Sequence, residues 1–121
     1  MSRYVEGFVI PIPRKNLKAY QKMAEWGRKA WMKHGAINYY ECVMSDFVKH
    51  GQGFRKMCKL KPSETAIFAF ITYKSKAHSR KVFRGVKIEM EKYGAPKDMP
   101  FDMKRFAMAG CKVIVHAAKG R

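Results

Sequence analysis

Acidic residues are scarce in this chain of 121 residues, with 9 Asp and Glu against 26 Lys and Arg and a formal net charge of +17. A surface so poor in negative charge attracts polyanions whether or not that is its purpose. Cysteine is sparse too. Three residues, Cys42, Cys58 and Cys111, stand far apart and odd in number, which excludes a disulfide framework and suits a reducing compartment. Long apolar runs are missing: none approaches the roughly 18 residues of a membrane span. The apolar start "YVEGFVIPIP" is broken by Glu6 and by prolines, unlike a secretory leader. These absences give a soluble, cytoplasmic protein with no membrane partner as the expectation. His34, His50, His78 and His116, taken with the cysteines, show no C-x-x-C, H-x-x-x-H or H-E-x-x-H spacing. Neither a metal nor another cofactor is therefore expected.

What the chain does have is apolar mass, 47% of its residues. That is enough for a real core in one compact domain spanning residues 1–121. Residues 4–12 are β-branched and aromatic and end at prolines, which predicts a strand. From 14 to 34, Leu17, Tyr20, Met23, Ala24, Gly27, Ala30, Trp31 and His34 recur at steps of three and four, which predicts a helix with Asn16 as its cap and Gly35 as its stop. Residues 36–48 read as extended, 54–60 as a further short strand, and 65–73 as a nearly unbroken apolar strand. A second helix is predicted over 75–94, capped by Ser75 or Ser79. Its stripe is Val82, Phe83, Val86, Met90 and Tyr93, with Gly94 and Pro96 as stops. Residues 95–102 read as loop and 104–117 as the last strand.

The order β-α-β-β-α-β, with one strand split or added, is the ferredoxin-like pattern of an α+β fold. Right-handed crossovers put both helices on one face of an antiparallel sheet. In the strand over 65–73, Thr65, Ile67, Ala69, Ile71 and Tyr73 alternate with Ala66, Phe68, Phe70 and Thr72, so both faces are largely apolar. Only one of them can meet the helices. The other is too large a patch for a monomer to expose, and a symmetric homodimer packed sheet to sheet covers it.

The segments "YVEGFVIPIPRKNLKAYQKMA", "HGAINYYECV", "KLKPSET", "YKSKAH" and "MPFDMKR" resemble, in this order, the YbaA-like family of small uncharacterised bacterial proteins. The resemblance covers nearly the whole chain. It implies a dimeric α+β barrel, in agreement with the dimer argued from residues 65–73, and it carries no established reaction. Met103 departs from the glycine common after "MPFD" in that family, and Ala109, Gly110 and Cys111 depart from two glycines and an aromatic.

His34, Glu41 and Cys42 resemble a nucleophile with its base and orienting acid, but Glu41 and Cys42 are neighbours on a strand and point to opposite faces. The carboxylates of Glu6 and Glu41 are better candidates. A sheet covered on both faces buries at least one of them, and burial demands a partner, with Arg105 and Lys112 available. A cavity between sheet and helices, with Glu6, Glu41, His78 and Arg105 as candidate lining residues, would bind a small molecule. The alternative is sequence-blind binding of RNA or another polyanion through phosphate contacts. Its candidates are Lys18, Lys22, Lys29, Lys76, Arg80, Arg84 and Lys87 on the outer faces of the two helices.

Overall fold

The computed structural model describes residues 3–94 and 98–120. Four antiparallel strands form one sheet: β1 (Tyr4–Pro13), β2 (Asn38–Val43), β3 (Glu64–Tyr73) and β4 (Ala107–Lys112), in the order β2-β3-β1-β4. Helices α1 (Leu17–Lys33) and α3 (Lys76–Tyr93) supply the two crossovers, and α2 (Phe54–Met57) is a single turn between β2 and β3. This is the ferredoxin-like α+β arrangement.

Register and burial fix the layers. Glu6 pairs with Ile71 and Phe8 with Ala69 across β1 and β3, while Tyr39 pairs with Ile71 and Glu41 with Ala69 across β2 and β3. Since side chains alternate along a strand, one face carries Tyr4, Glu6, Phe8, Ile10 and Ile12 of β1, Tyr39 and Glu41 of β2, and Ile67, Ala69, Ile71 and Tyr73 of β3. Both helices cover that face. Tyr20, Ala24, Gly27 and Ala30 form the buried stripe of α1, and Ser79, Val82 and Val86 that of α3. One apolar cluster joins Ile10, Ile12, Tyr20, Ile67 and Phe101; a second joins Ala30, Ile71, Tyr73, Val82 and Val86.

The opposite face carries neither of the long helices; the α2 turn borders one edge of it, where Phe54 and Met57 line a cleft with Cys42 and Phe68. Phe68 and Phe70 of β3 and Tyr40 of β2 lie on it, with the Tyr40 and Phe70 rings stacked at 4.8 Å and Phe68 at 6.0 Å from Phe70. Tyr40 is 52% exposed and Phe68 41%. A bare aromatic sheet face of this kind is the expected mark of an interaction surface.

Several boundaries differ from the sequence reading. Residues 54–60 form a helical turn rather than a strand: the Met57 amide donates to the Gly53 carbonyl and the Cys58 amide to that of Phe54. Gly53 at φ +75° turns the chain into that turn and Lys59 at φ +53° turns it out, so no extended run survives between them. β2 stops at Val43 rather than 48, and β4 is confined to Ala107–Lys112, behind a 3-10 turn over Met103–Arg105. Both are edge strands, each paired with a single neighbour. Asn16 does not cap α1 with its side chain. A 3-10 turn over Arg14–Asn16 precedes the helix, and Asn16 Nδ2 donates to the Pro100 carbonyl instead. Ser75 does cap α3, accepting from the His78 amide. Phe83 and Tyr93, expected in the α3 stripe, are exposed. His34 and Gly35 (φ +111°) end α1 as read, and Gly94 is the C-cap residue of α3. Pro96 lies outside the described residues.

Candidate functional site

The sheet and the helices do not close on each other completely. A cavity of about 860 Å³ lies between α1, the C-terminal end of α3, the helix-side face of the sheet and the segment 99–106. Its walls are almost wholly apolar: Phe8, Ile10 and Ile71 from the sheet, Trp26 and Trp31 from α1, Met90 and Tyr93 from α3, and Met99, Phe101, Met103 and Phe106 from the closing segment. The volume falls within the range of sites for drug-sized ligands, about 300–1,000 Å³.

Among the described residues Glu41 is the one carboxylate on the lining, and its oxygens are divided between two tyrosines. Tyr20 of α1 donates its hydroxyl to Oε1 at 2.7 Å, and Tyr39, two residues before Glu41 on the same strand face, donates to Oε2 at 2.7 Å. Gly27 makes this clamp possible, because a Cβ there would come within 2.6 Å of the Tyr39 hydroxyl. Burial, followed by the hydrogen bond to Glu41 and its charge, holds the Tyr20 phenol well above its ordinary 10.0. Burial, then the charge of Glu41 and the hydrogen bond to it, does the same for Tyr39. Each change favours the neutral phenol as donor to a charged acceptor. Tyr20, Ala24, Tyr39 and Glu41 also line a smaller cleft of about 480 Å³ on the outer side, together with Gln21, Glu25 and Arg28. The clamp is therefore the partition between an apolar cavity and a cleft of mixed character.

The other candidates stand elsewhere. Glu6 faces the same layer but takes a 2.5 Å hydrogen bond from Tyr73 and is not among the lining residues. Burial, then this bond to Glu6, raises the Tyr73 phenol well above its ordinary 10.0, and the adjoining Trp31 indole opposes the shift. His78 turns back on its own helix start, where Nδ1 accepts from the Lys74 amide at 2.9 Å and the ring meets Tyr73 edge-on. Arg105 does not pair with Glu6 or Glu41 as the sequence suggested. Its guanidinium donates to Glu64 Oε2 at 2.7 Å and to the carbonyls of Cys58 and Lys59, tying the turn after α2 to β3. The 3-10 turn that begins at Met103 redirects Arg105 toward that loop. Cys42 stands on the bare sheet face opposite Phe68, so it is separated from Glu41 by the sheet.

Sequence reasoning missed Tyr20 and Tyr39 as functional partners. The signal was present: a tyrosine two residues before a carboxylate on one strand shares its face, and Tyr20 belongs to the buried stripe of the helix that covers it. The basic candidates Lys18, Lys22, Lys29, Lys76, Arg80, Arg84 and Lys87 are all exposed on α1 and α3, and Lys22 also reaches the cavity lining. Lys33 of the same helix is engaged, bonding Glu89 of α3 at 2.9 Å. Among the described residues, no group of three His, Cys, Asp or Glu side chains could hold a metal ion, and no helix is long and apolar enough to cross a membrane.

Comparison with solved structures places this architecture. A dimeric ferredoxin-like protein from an uncultured marine organism superposes with a TM-score of 0.58 at 9% identity, covering 95% of this chain and 99% of that one. A monooxygenase from the gene ActVA-Orf6 of Streptomyces coelicolor, in complex with nanaomycin D, gives 0.56 at 10% identity, covering 98% and 94%. A putative antibiotic biosynthesis monooxygenase from Bacillus cereus gives 0.51 at 12%, covering both chains fully. Identities this low show the shared fold alone. In sequence, the protein YbaA of Escherichia coli K12, described as uncharacterized, is 33% identical over an alignment of 119 positions that covers 93% of this chain and 97% of the relative; its counterpart in Shigella flexneri matches equally. The family model described as "Protein of unknown function (DUF1428)" matches residues 3–103. With five-sixths of its length inside that model, the chain belongs to the DUF1428 family, and it is related to YbaA over most of its length.

Proposed function

We propose that the protein binds a small, largely apolar molecule in the cavity between sheet and helices, and that it does so as a homodimer. The observation that carries this reading is Glu41: a carboxylate clamped by Tyr20 and Tyr39 on the wall of an otherwise apolar space. The two tyrosine hydrogen bonds offset the cost of setting a carboxylate beside an apolar space, and a polar group so placed orients whatever enters. The fold neighbour in complex with nanaomycin D supports the reading at the level of architecture. The dimeric fold neighbour supports a second copy on the bare sheet face, where Tyr40, Phe68 and Phe70 await cover. In this reading Glu6, His78 and Arg105 act structurally, through Tyr73, the α3 start and Glu64. The cytoplasmic assignment belongs to the same proposal and rests on three unpaired cysteines.

Nile red, a neutral dye whose emission rises in apolar surroundings, tests the cavity. Ala69 lies on its floor and is 4% exposed. The unmutated protein should bind the dye in a saturable manner and the cavity-filling A69F variant should not; equal binding by both would refute the cavity as the site.

A second reading keeps the polyanion. Lys18, Lys22, Lys29, Lys76, Arg80, Arg84 and Lys87 are exposed, and none has an ion-pair partner among the described residues. Binding of a short RNA through them would weaken steeply with salt. Affinity that persists unchanged when Arg80 and Arg84 are both replaced by Glu would exclude that surface.

A further inference from the structure

Among the described residues Glu41 has no counter-ion, although the chain holds 26 basic residues. Among the described residues no Lys, Arg or His nitrogen lies within 4.0 Å of its carboxylate, while Glu25, Glu64 and Glu89 each have such a partner. The two tyrosines that hold it supply hydrogen bonds but no positive charge. The charge of Glu41 helps hold both phenols above their ordinary value. In a protein at +17, the wall of the cavity is a local island of negative charge.

The rest of the lining matches that island. Trp26, Trp31, Tyr93 and Phe101 contribute aromatic rings to the same space. Ring faces are negative and attract cations, indole most of all. Both phenol protons are committed to Glu41, so the tyrosine oxygens and the remaining carboxylate lone pairs can only accept hydrogen bonds. The polar groups of the clamp thus offer acceptors, negative charge and no donor. Among the described residues Lys22 is the one basic residue on the lining, and it is solvent-exposed. It makes no ion pair with Glu41 within 4.0 Å, and surface charges more than about 8 Å away are screened at physiological ionic strength.

We infer that the ligand brings the missing charge: the cavity takes an organic cation, an ammonium group carried on an aromatic body, with Glu41 as its counter-ion. This rests on the cavity reading above and adds the chemical class of the ligand.

Three matched probes test it: para-phenylbenzylammonium, the neutral para-phenylbenzyl alcohol, and the anion biphenylacetate. Trp26 and Trp31 are the only tryptophans and both line the cavity, so tryptophan emission reports occupancy directly. The ammonium should bind at least about tenfold more tightly than the alcohol, and the anion most weakly, as expected when a charge-assisted hydrogen bond and ring contacts act together. In E41Q the ammonium should lose about tenfold, while the alcohol stays within about threefold. Alcohol or anion binding as tightly as the ammonium would overturn the inference and leave the cavity reading standing. Failure of all three to bind the unmutated protein would overturn the cavity reading itself. The probe series needs no variant, so it decides the matter even if E41Q does not fold.

Discussion

Replacing Gly27 by alanine should change the sign of its effect on stability according to what stands at position 39. Gly27 is a buried interior residue of α1, where alanine ordinarily stabilises a helix by about 1 kcal/mol over glycine. Here a Cβ would come within 2.6 Å of the Tyr39 hydroxyl, a separation that requires movement. That hydroxyl is pinned to Glu41 at 2.7 Å, so moving it breaks the bond. A hydrogen bond to a charged group is worth about 1.5–3 kcal/mol. The loss exceeds the helix gain, and G27A should be net destabilising by about 1 kcal/mol, lowering Tm by about 4 °C in a domain of this size. With Y39F the obstacle disappears: the next atoms, Tyr39 Cζ at 3.5 Å and Trp31 Cζ3 at 3.7 Å, are at ordinary contact distance. In that background G27A should stabilise by about 1 kcal/mol, giving a coupling near 2 kcal/mol in the double-mutant cycle. Urea and thermal unfolding of the four proteins at one fixed concentration measure it, the concentration being held because a dimer's stability depends on it. Equal stabilisation by G27A in both backgrounds would mean that the Tyr39 hydroxyl does not occupy the space above Gly27, and the clamp on Glu41 would fall with it.

Three further outcomes are expected. Spectrophotometric titration should find Tyr20, Tyr39 and Tyr73 silent at pH 10 in the folded protein; because their folded values lie above the unfolded 10.0, they stabilise fully below that pH and the protein should lose stability as pH rises beyond it. The Arg105 guanidinium first, then the Lys61 amide, holds the Glu64 carboxyl below its ordinary 4.5, so this stabilisation is present above pH 4.5 and is lost as pH falls through the lowered value; R105A should destabilise at pH 7 by about 1–3 kcal/mol and flatten the acid limb of the stability profile, whereas an unchanged limb would deny the coupling. F68E on the bare sheet face should shift the protein from dimer to monomer in light scattering without loss of helical signal; a dimer that survives the charge would place the interface elsewhere.

The layers were legible because they follow from periodicity. The alternation of Ile67, Ala69 and Ile71 with Phe68 and Phe70 assigns two faces before any coordinates exist, and pairing with β1 and β2 only decides which face the helices take. The segment 54–60 was not legible, because its turn is set by the positive φ of Gly53 and Lys59 at its two ends rather than by any period. Among the site candidates, Glu41 was recognisable as a carboxylate on a strand bound for burial. Its partners were sought among basic residues, since charge is the usual answer to a buried carboxylate, and two tyrosines answer it instead. Arg105 was misplaced for a related reason: its direction depends on the 3-10 turn of Met103–Arg105, which brings it to Glu64, 41 positions away.

The sequence alone determined the ferredoxin-like order, the buried stripe of α1, the apolar character of both sheet faces and the excess of positive charge, all properties of local spacing and composition. Tertiary structure decided which residues meet. Tyr20 and Glu41 are 21 residues apart and touch only because the β1-α1-β2 crossover lays α1 across the sheet above β2. The cavity exists because α1, α3 and the segment 99–106 leave between them a space that no single element predicts. A negative wall inside a strongly basic protein is likewise a property of that packing, because net charge adds over the whole chain whereas the field at Glu41 depends on which few groups lie within a few ångströms of it.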